Sequence, residues 1–580
     1  MVRVSVCETE CCGFNPHYSP KNITMNHSEY IQNYFLTINK RFVDIIDPQS
    51  LTKNLLFYLI NFPLFCIGLI FFFSFFRKFE KKYIYNLSLY LSASSFIGSL
   101  LLLLYLNKSN LFFQAIFQIT PSPLLTGGWL SFGVDYISMS LIILTNLFIY
   151  LCILSIRFVE IRGKFYTSEL LNKLFFIQWG LLCAFSSLDL LGFFIFFEAT
   201  LIPIFLIILQ GGSRERRSRA SYLIALYTLF GSVFMLFNII YLYNKYGTTN
   251  YLVLYSSKIS LEDQKILWIT FFLAFAAKIP VFPFHIWLPE AHVEAPTIGS
   301  VLLAALLLKL GVYGLIRFGL PLFPYGQEYF KHFIVILTIC SFFYTNLTAI
   351  RQVDIKKIIA YSSVVHMNLI VLGILCISVE SLDGAIYQML AHGIVSGALF
   401  FCIGIIYERF KSRFLWYYGG VAFLLPLYSI FLFIFILANI SFPTTSNFIG
   451  EMLLFLGIFK DNFIIGFFAA LSMFWGVIYN VWTYNRICFG NIKFNYNVFA
   501  KHHSQNFFFK NSETKENALD EKKSLTYLDI DKTDFYILTF LTFLLFLTGI
   551  NSSLILDYIS INSTVIVDRS IHLLNEITLK

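Results

Sequence analysis

Apolar runs of about 20 residues recur along this chain from residue 55 to residue 556. Each is long enough to cross the ~30 Å hydrocarbon core of a bilayer as a helix. No other property limits the possible folds so severely. In hydrocarbon every backbone N–H and C=O must be paired within the protein, which leaves helices or closed barrels. No stretch of the sequence shows the ~10-residue alternation of a transmembrane barrel. Only 13% of the 580 residues are charged, about half the share typical of soluble domains. The expected fold is an all-α polytopic membrane protein with about fourteen transmembrane helices.

Hydropathy places these crossings near 55–76, 84–106, 132–156, 168–188, 190–209, 221–243, 266–287, 297–318, 332–350, 357–378, 383–407, 419–440 continuing as a broken element to 459, 463–488 and 534–556. The segment LFFQAIFQI, 111–119, is too short to span and is expected to lie along the interface. The chain then divides into an N-terminal extension (1–54), N-terminal membrane helices (55–165), two repeats (166–320 and 321–490), a polar loop (491–533), and a last helix with its tail (534–580).

Loop charge orients the bundle. The loops after crossings 1, 3, 5, 9 and 11 read RKFEKK, RFVEIRGK, GSRERRSR, RQVDIKK and ERFKSR and together carry 17 Lys and Arg, against about seven on the other side. Cytoplasmic or matrix loops are enriched in Lys and Arg, so these five face that side and both termini face away. Topology explains the net charge of +9 better than a nucleic-acid partner does. Seven of the ten cysteines lie in or beside apolar runs and read as small buried hydrophobes. Cys7, Cys11 and Cys12 cluster without the spacing of a zinc or iron–sulfur site. The N-terminus, MVRVSVCETECCGF, resembles neither a secretory signal nor a transit peptide. Heavy use of Phe, Tyr and Ile suits an A+T-rich gene, as in many organelle genomes.

Six ionisable residues remain at helix depth once the loops are removed: Glu198, Lys278, Lys309, His366, His392 and Glu451. A charged group near mid-membrane costs about 2.5–3.5 kcal/mol on insertion scales. Singly, each reads as a tether satisfied by its neighbours. As a set spread over six helices they read as a proton or ion path. The stretch AAKIPVFPFHIWLPEAHVEAP, 276–296, sharpens this reading. Pro280 and Pro283 remove backbone donors directly after Lys278, so the helix is expected to unwind there, and freed backbone at that depth needs protein or a water-filled cavity around it. A second break is expected at Pro443, just before Glu451. Two interrupted helices in corresponding positions are the mark of duplicated transporter halves. Helices 4–8 and 9–13 read as two five-helix repeats, inverted because five is odd.

The energetics suit a pump. Making or breaking one Glu198–Lys278 pair changes proton affinity by ~3 pH units, worth about 4 kcal/mol, whereas carrying one charge across 100 mV costs about 2.3 kcal/mol. Other chemistries fit less well. The H-x-E within HVEA lacks the P-C-x-x-C of a zinc deaminase, and His285, His292, Glu290 and Glu294 make no helical H-E-x-x-H. His292 and Glu294 are expected to form a polar cluster at the basic-side interface. No dinucleotide fingerprint, Walker loop or clear haem-ligand pair occurs, so no metal, bound cofactor or redox centre is expected in this chain.

The block KIPVFPFHIWLPEAHVEAPTIGSVLLAALLLKLGVYG resembles the signature of the chain 4 family of respiratory complex I, the antiporter-like subunits of NADH:ubiquinone oxidoreductase. SFGVDYISM, FFEATLIPIFLII, IRQVDIKKIIAYSSVVHMN and SNFIGEMLLFLGIF support it, and the match covers about residues 125–490. The resemblance implies a proton-pumping translocase subunit. NADH, FMN, iron–sulfur clusters and ubiquinone would be handled by partner subunits, and the neighbours would be other membrane-arm subunits, including the related subunits 2 and 5, together with lipids. By position it makes Glu198 the acid of the first half-channel and Lys278 the broken-helix lysine. His285 and Lys309 would continue the axis, and His366 and His392 would link it to Glu451 at the second half-channel. It implies a multi-pass protein of the mitochondrial inner membrane, or alternatively of a bacterial plasma membrane. The alternative function is a component of a stand-alone multisubunit cation/proton antiporter; a passive membrane scaffold would tolerate loss of the ionisable axis. The N-terminal extension and the 491–533 loop depart from the family pattern.

Overall fold

The computed structural model describes residues 48–75, 81–108, 112–119, 130–156, 167–212, 215–492 and 529–578. The N-terminal extension up to residue 47, the Cys7–Cys11–Cys12 cluster, the RFVEIRGK loop and most of the 491–533 loop lie outside the described residues. Thr52–Lys580 forms one compact unit; all that follows concerns it and the first turn of the helix that leads into it.

Among the described residues, 11 helices are long and apolar enough to cross a membrane. They include α1 (Pro48–Phe75), α2 (Lys81–Tyr105) and α3 (Tyr136–Ser155). The three remaining expected crossings are also helical. One is α4 (Thr167–Ser186). The next crossing is α5 (Leu190–Ala199) running into α6 (Leu201–Gly211), followed by α7 (Arg217–Tyr246). The second of the three is the interrupted pair α8 (Leu261–Lys278) and α9 (Trp287–Glu294). Then come the span α10 (Thr297–Leu322), α11 (Pro324–Arg351), α12 (Ile355–Leu375) and α13 (Val379–Phe410). The last of the three is the interrupted pair α14 (Pro426–Asn439) and α15 (Ser446–Asp461), followed by α16 (Phe463–Cys488) and α17 (Lys532–Ile550). Each interrupted pair is the fourth crossing of a run of five, and the second run starts from the opposite side, as the inverted-repeat reading requires.

Two features were not expected from the sequence. Residues 114–119 form strand β1 (Gln114–Ile119), antiparallel to β2 (Leu130–Val134). The sequence QAIFQI alternates enough to present Phe117 to Phe132, with ring centroids 5.3 Å apart, and this pairing satisfies the backbone that a lone short segment would expose. The final crossing stops at Ile550, and a further helix, α18 (Ser553–Thr578), packs back against α3, α11 and α13. Its Ser563 hydroxyl bonds to Asp383 and its Arg569 to the carbonyl of Tyr255. Five of the seven membrane cysteines are buried as expected, but Cys340 is exposed on the outer face.

Burial sorts the helices. The hydrophobic window of α10 and that of α13 are both wholly buried, so these two form the centre, whereas α1, α2 and α16 turn large apolar side chains outward. Small residues let helices approach. A Cβ on Gly384 of α13 would lie 2.7 Å from the backbone nitrogen of Leu454 on α15. At the side opposite the basic loops, Arg317 of α10 and Asp135 at the start of α3 form a buried ion pair, and the Asp135 side chain also caps α3 through Ser138 N–H.

Two outcomes test this packing. Gly384→Ala pushes α13 from α15 and is expected to destabilise the protein by about 1–3 kcal/mol, read as a lower unfolding temperature in detergent; an unchanged temperature would contradict the contact. Asp135→Ala strands the Arg317 charge and costs about 3–5 kcal/mol, while Asp135→Leu combined with Arg317→Met regains most of that stability.

Candidate functional site

Four interruptions of regular backbone build the site. In α5–α6, Pro203 lacks the N–H that the Ala199 carbonyl would accept, which loosens the helix one residue after Glu198. In α8, Pro280 cannot bond to the Ala276 carbonyl. The Val281 N–H takes that acceptor at 3.0 Å, and the Ala277 carbonyl receives the Trp287 indole N–H at 2.8 Å instead. In α14–α15, Pro443 ends the first half, and Phe442 N–H folds back on the Leu437 carbonyl. In α10, two wide π-helical turns, Leu303–Leu307 and Leu315–Gly319, flank the short α-helical piece that carries Lys309. Such turns free carbonyls inside an otherwise continuous helix and are frequent at functional sites.

These interruptions hold the titratable side chains. Lys278, the last residue of α8, donates from Nζ to the carbonyl of Phe197 at 2.9 Å and sits 3.8 Å from the centre of the Phe197 ring. Glu198 is the next residue along α5. Both of its carboxyl oxygens are buried and make no hydrogen bond of full geometry, yet the Ser232 hydroxyl and Lys278 are both near enough to act on it. The two are coupled but do not touch.

A second group forms a continuous chain. Lys309 Nζ bonds to the Ala304 carbonyl and lies 3.0 Å from His392 Nδ1. His392 on α13 faces His366 on α12, with ring centroids 5.5 Å apart. His366 Nδ1 in turn sits 3.0 Å from Glu451 Oε1 on α15, without the alignment of a hydrogen bond. Gln388 Nε2 donates to the same Glu451 oxygen at 3.3 Å. Lys309 and His392 have no exposed surface, and Glu451 is 5% exposed. The four helices α10, α13, α12 and α15 thus bring four expected residues, Lys309, His392, His366 and Glu451, into one buried row.

His285 is placed differently. It is buried, but its ring packs against Phe282 and Tyr344 at 5.6 and 5.2 Å between centroids. No contact ties it to Lys278 or Lys309 among the described residues. Its position just after Pro283 and before α9 begins at Trp287 puts it in the non-helical turn, where its side chain packs toward α11. His292 and Glu294 do not form a common cluster. Glu294 pairs with Arg413 at 3.3 Å, while His292, wholly buried, stacks parallel on Phe400 of α13 at 4.5 Å. The helical turn of α9 points the two side chains in different directions.

Lys356 is also buried although its sequence placed it in a basic loop. It is 4% exposed and donates to the Ala295 carbonyl at 2.8 Å. Its position at the start of the largely buried α12 was the available signal, but a loop lysine and a buried one look alike in a hydropathy trace. Among the described residues, no group of three or more His, Cys, Asp and Glu is arranged to hold a metal ion.

The arrangement has counterparts among known proteins. Residues 187–478 match the family model described as NADH:quinone oxidoreductase/Mrp antiporter, transmembrane. NADH-ubiquinone oxidoreductase chain 4 of Marchantia polymorpha is 47% identical over 364 residues, covering 63% of this chain and 73% of that protein. A chain of respiratory complex I from Thermus thermophilus superposes with a TM-score of 0.74 at 25% identity, over 89% of this chain and 99% of that one. A chain of the Mrp complex from a Dietzia species shares the fold, with a TM-score of 0.73 at 18% identity over 89% of this chain and 98% of that one. A buried row of Lys, His and Glu, flanked by two broken helices in a mainly helical membrane bundle, is carried by a chain that belongs to the NADH-ubiquinone oxidoreductase chain 4 family.

Proposed function

We propose that this chain is a proton-translocating membrane-arm subunit of respiratory complex I, coupling NADH-to-ubiquinone electron transfer in other subunits to proton movement along its buried axis. The observation that carries the reading is the buried row Lys309–His392–His366–Glu451, in which Lys309 Nζ lies 3.0 Å from His392 Nδ1, the two imidazole rings have centroids 5.5 Å apart, and His366 Nδ1 lies 3.0 Å from Glu451 Oε1. Four titratable groups at these separations exchange protons directly or through one water, whereas isolated tethers need no such alignment.

The lysines support the same conclusion. Lys278 and Lys309 are each anchored by a backbone carbonyl rather than by a carboxylate. An ammonium and a neutral amine both donate N–H to a carbonyl, so the anchor survives loss of the proton. Glu198 biases Lys278 from a distance. When Glu198 and Lys278 approach, the ammonium is stabilised; when they separate, the proton is released toward Lys309. A switch of ~3 pH units in affinity, about 4 kcal/mol, is large enough to drive one charge across 100 mV, which needs about 2.3 kcal/mol. Lys309 then feeds the two histidines, and Glu451 receives the proton at the second broken helix.

In this reading FMN, iron–sulfur clusters, NADH and ubiquinone reside in partner subunits. The neighbours in the membrane arm include the related subunits 2 and 5, and the outer apolar faces of α1, α2 and α16 meet lipid or those neighbours. The location is the mitochondrial inner membrane. The family model also names Mrp antiporters, so a stand-alone cation/proton antiporter component is the competing reading. The 47% identity to a chain 4 protein favours complex I.

Native electrophoresis separates the two readings: this chain is expected to comigrate with NADH-oxidising activity, and migration without flavin or iron–sulfur proteins would sink the complex I assignment. Lys278→Ala is expected to lower proton pumping about a hundredfold, the low end for a lost proton-transfer group, and to slow coupled quinone reduction; unchanged rates of both would remove Lys278 from the path. Lys309→Arg keeps the charge but cannot give up a proton, so it is expected to pump as poorly as Lys309→Ala. Restoration of pumping by arginine would instead mark Lys309 as a structural tether.

A further inference from the structure

A cavity of about 180 Å³ lies beside the Asp135–Arg317 pair, apart from the row described above. It sits at the side opposite the basic loops, between α18, the residues leading into β1, the short helix Tyr251–Ser256 and the C-terminal part of α10. Four of its lining side chains are polar, and Asp135, Arg317, Tyr251 and Asn562 are each at most 5% exposed. Their hydrogen-bonding capacity is only partly used. Asp135 accepts from Arg317 and from the Ser138 N–H. Arg317 carries five N–H donors: Nη2 serves Asp135 and Nε the Tyr313 hydroxyl at 3.3 Å, and no bond from Nη1 is found among the described residues. The Tyr251 hydroxyl is close enough to feel both charges of the pair. Asn562 Oδ1 is buried with no partner among the described residues. Polar groups buried this deeply are costly to leave unpaired, and all of them border the same space.

Charge and hydrogen bonding together constrain what fills it. Arg317 and Asp135 cancel each other. An anion would add a second negative charge beside Asp135, and a cation a second positive charge beside Arg317, each desolvated without a counter-ion. Arg317 Nη1 requires an acceptor, while the Asn562 amide offers a donor and an acceptor whichever way it is turned. A hydroxyl group answers both demands. The rest of the wall is apolar: Phe112, Val565 and Ile566 line it, and Phe113 covers a face of the guanidinium with its ring centre 4.7 Å away. Water satisfies the polar end but gains nothing from the apolar wall. A dry cavity of ~150 Å³ takes up benzene, so the space here suits a ring or a short alkyl chain. Phe112 is 65% exposed and marks the mouth, and Arg317 lies near the end of the span Thr297–Leu322, level with the bilayer interface.

We propose that this cavity is a binding site for a neutral, hydroxyl-bearing amphipath. Its hydroxyl oxygen accepts from Arg317, its O–H donates to Asn562 Oδ1, and its apolar body packs against Phe112, Val565 and Ile566. The bound molecule bridges α10 and α18. An alcohol-headed lipid entering from the interface and a small alcohol dissolved in the adjacent water present the same chemistry to these residues. None of them belongs to the Lys309–Glu451 row, so the site stands or falls independently of proton transfer.

Photolabelling tests the site in native membranes that hold the assembled protein, with 3-azioctanol, an octanol carrying a photoactivated diazirine, as the probe. Saturable label is expected in the segments Phe112–Phe113, Tyr251–Tyr255 or Asn562–Ile566, and excess unlabelled octanol is expected to suppress it. Octanoate and octylamine, which carry the same chain with a charge, are expected not to compete. Asn562→Leu keeps the side-chain size but removes the amide, and is expected to weaken labelling about tenfold, the worth of one hydrogen bond. Val565→Trp fills the space and is expected to abolish labelling; should that variant fail to assemble, Asn562→Leu gives the answer. Competition by monoolein identifies a lipid alcohol as the ligand, and competition by benzyl alcohol without monoolein a dissolved one. Absence of saturable label in the three segments, as from a cavity holding only water, would overturn the site. Unchanged labelling of Asn562→Leu, or equal competition by octanoate, would do the same.

Discussion

Three buried lysines in this protein are each held by a main-chain carbonyl at an irregularity in a helix: Lys278 by Phe197, Lys309 by Ala304 and Lys356 by Ala295. A carboxylate partner would bind the ammonium form far more tightly than the amine and would fix the charge in place. A carbonyl dipole accepts from either form, so the side chain stays ordered while its proton comes and goes. The rest of the structure serves this arrangement. Carbonyls left without an intrahelical N–H occur where a helix is broken or widened, and the break at Pro280, the loosened turn near Pro203, the end of α9 and the π turns of α10 provide such places.

Freed backbone is costly in a dry interior, and side chains repair the first break. The Trp287 indole from the far half of the break closes the Ala277 carbonyl, and Asn368 of α12 approaches the Pro280 carbonyl at 3.5 Å. The irregular segment therefore depends on contacts beyond its own residues. The ion pair of Asp135 with Arg317 plays a different part. Its two charges neutralise each other at the far side of α10, outside the row, and anchor the central helix to α3.

Much of the fold was legible in the sequence because the bilayer permits so few solutions. Runs of about 20 apolar residues leave little choice but a helix, and the lysine and arginine bias of the loops fixes direction. The hairpin at Gln114–Ile119 and Leu130–Val134 escaped notice because its short strands gain stability only from pairing with each other and with the helices beneath. Helix α18 escaped for a related reason: its polar residues are satisfied by partners distant in the chain, such as Asp383 and the Tyr255 carbonyl.

The sequence alone determined which ionisable residues would lie at membrane depth and where the backbone would break, since proline chemistry and the cost of burying charge act locally. Tertiary structure decided which of those residues meet. Glu198 and Lys278 are coupled without contact, Lys309 reaches Glu451 through two histidines, His285 turns aside against Tyr344, and His292 stacks on Phe400. Such meetings depend on the rotation of each helix about its own axis. That rotation is set by how glycines such as Gly384 let neighbouring helices approach, and no single helix carries it in its own residues.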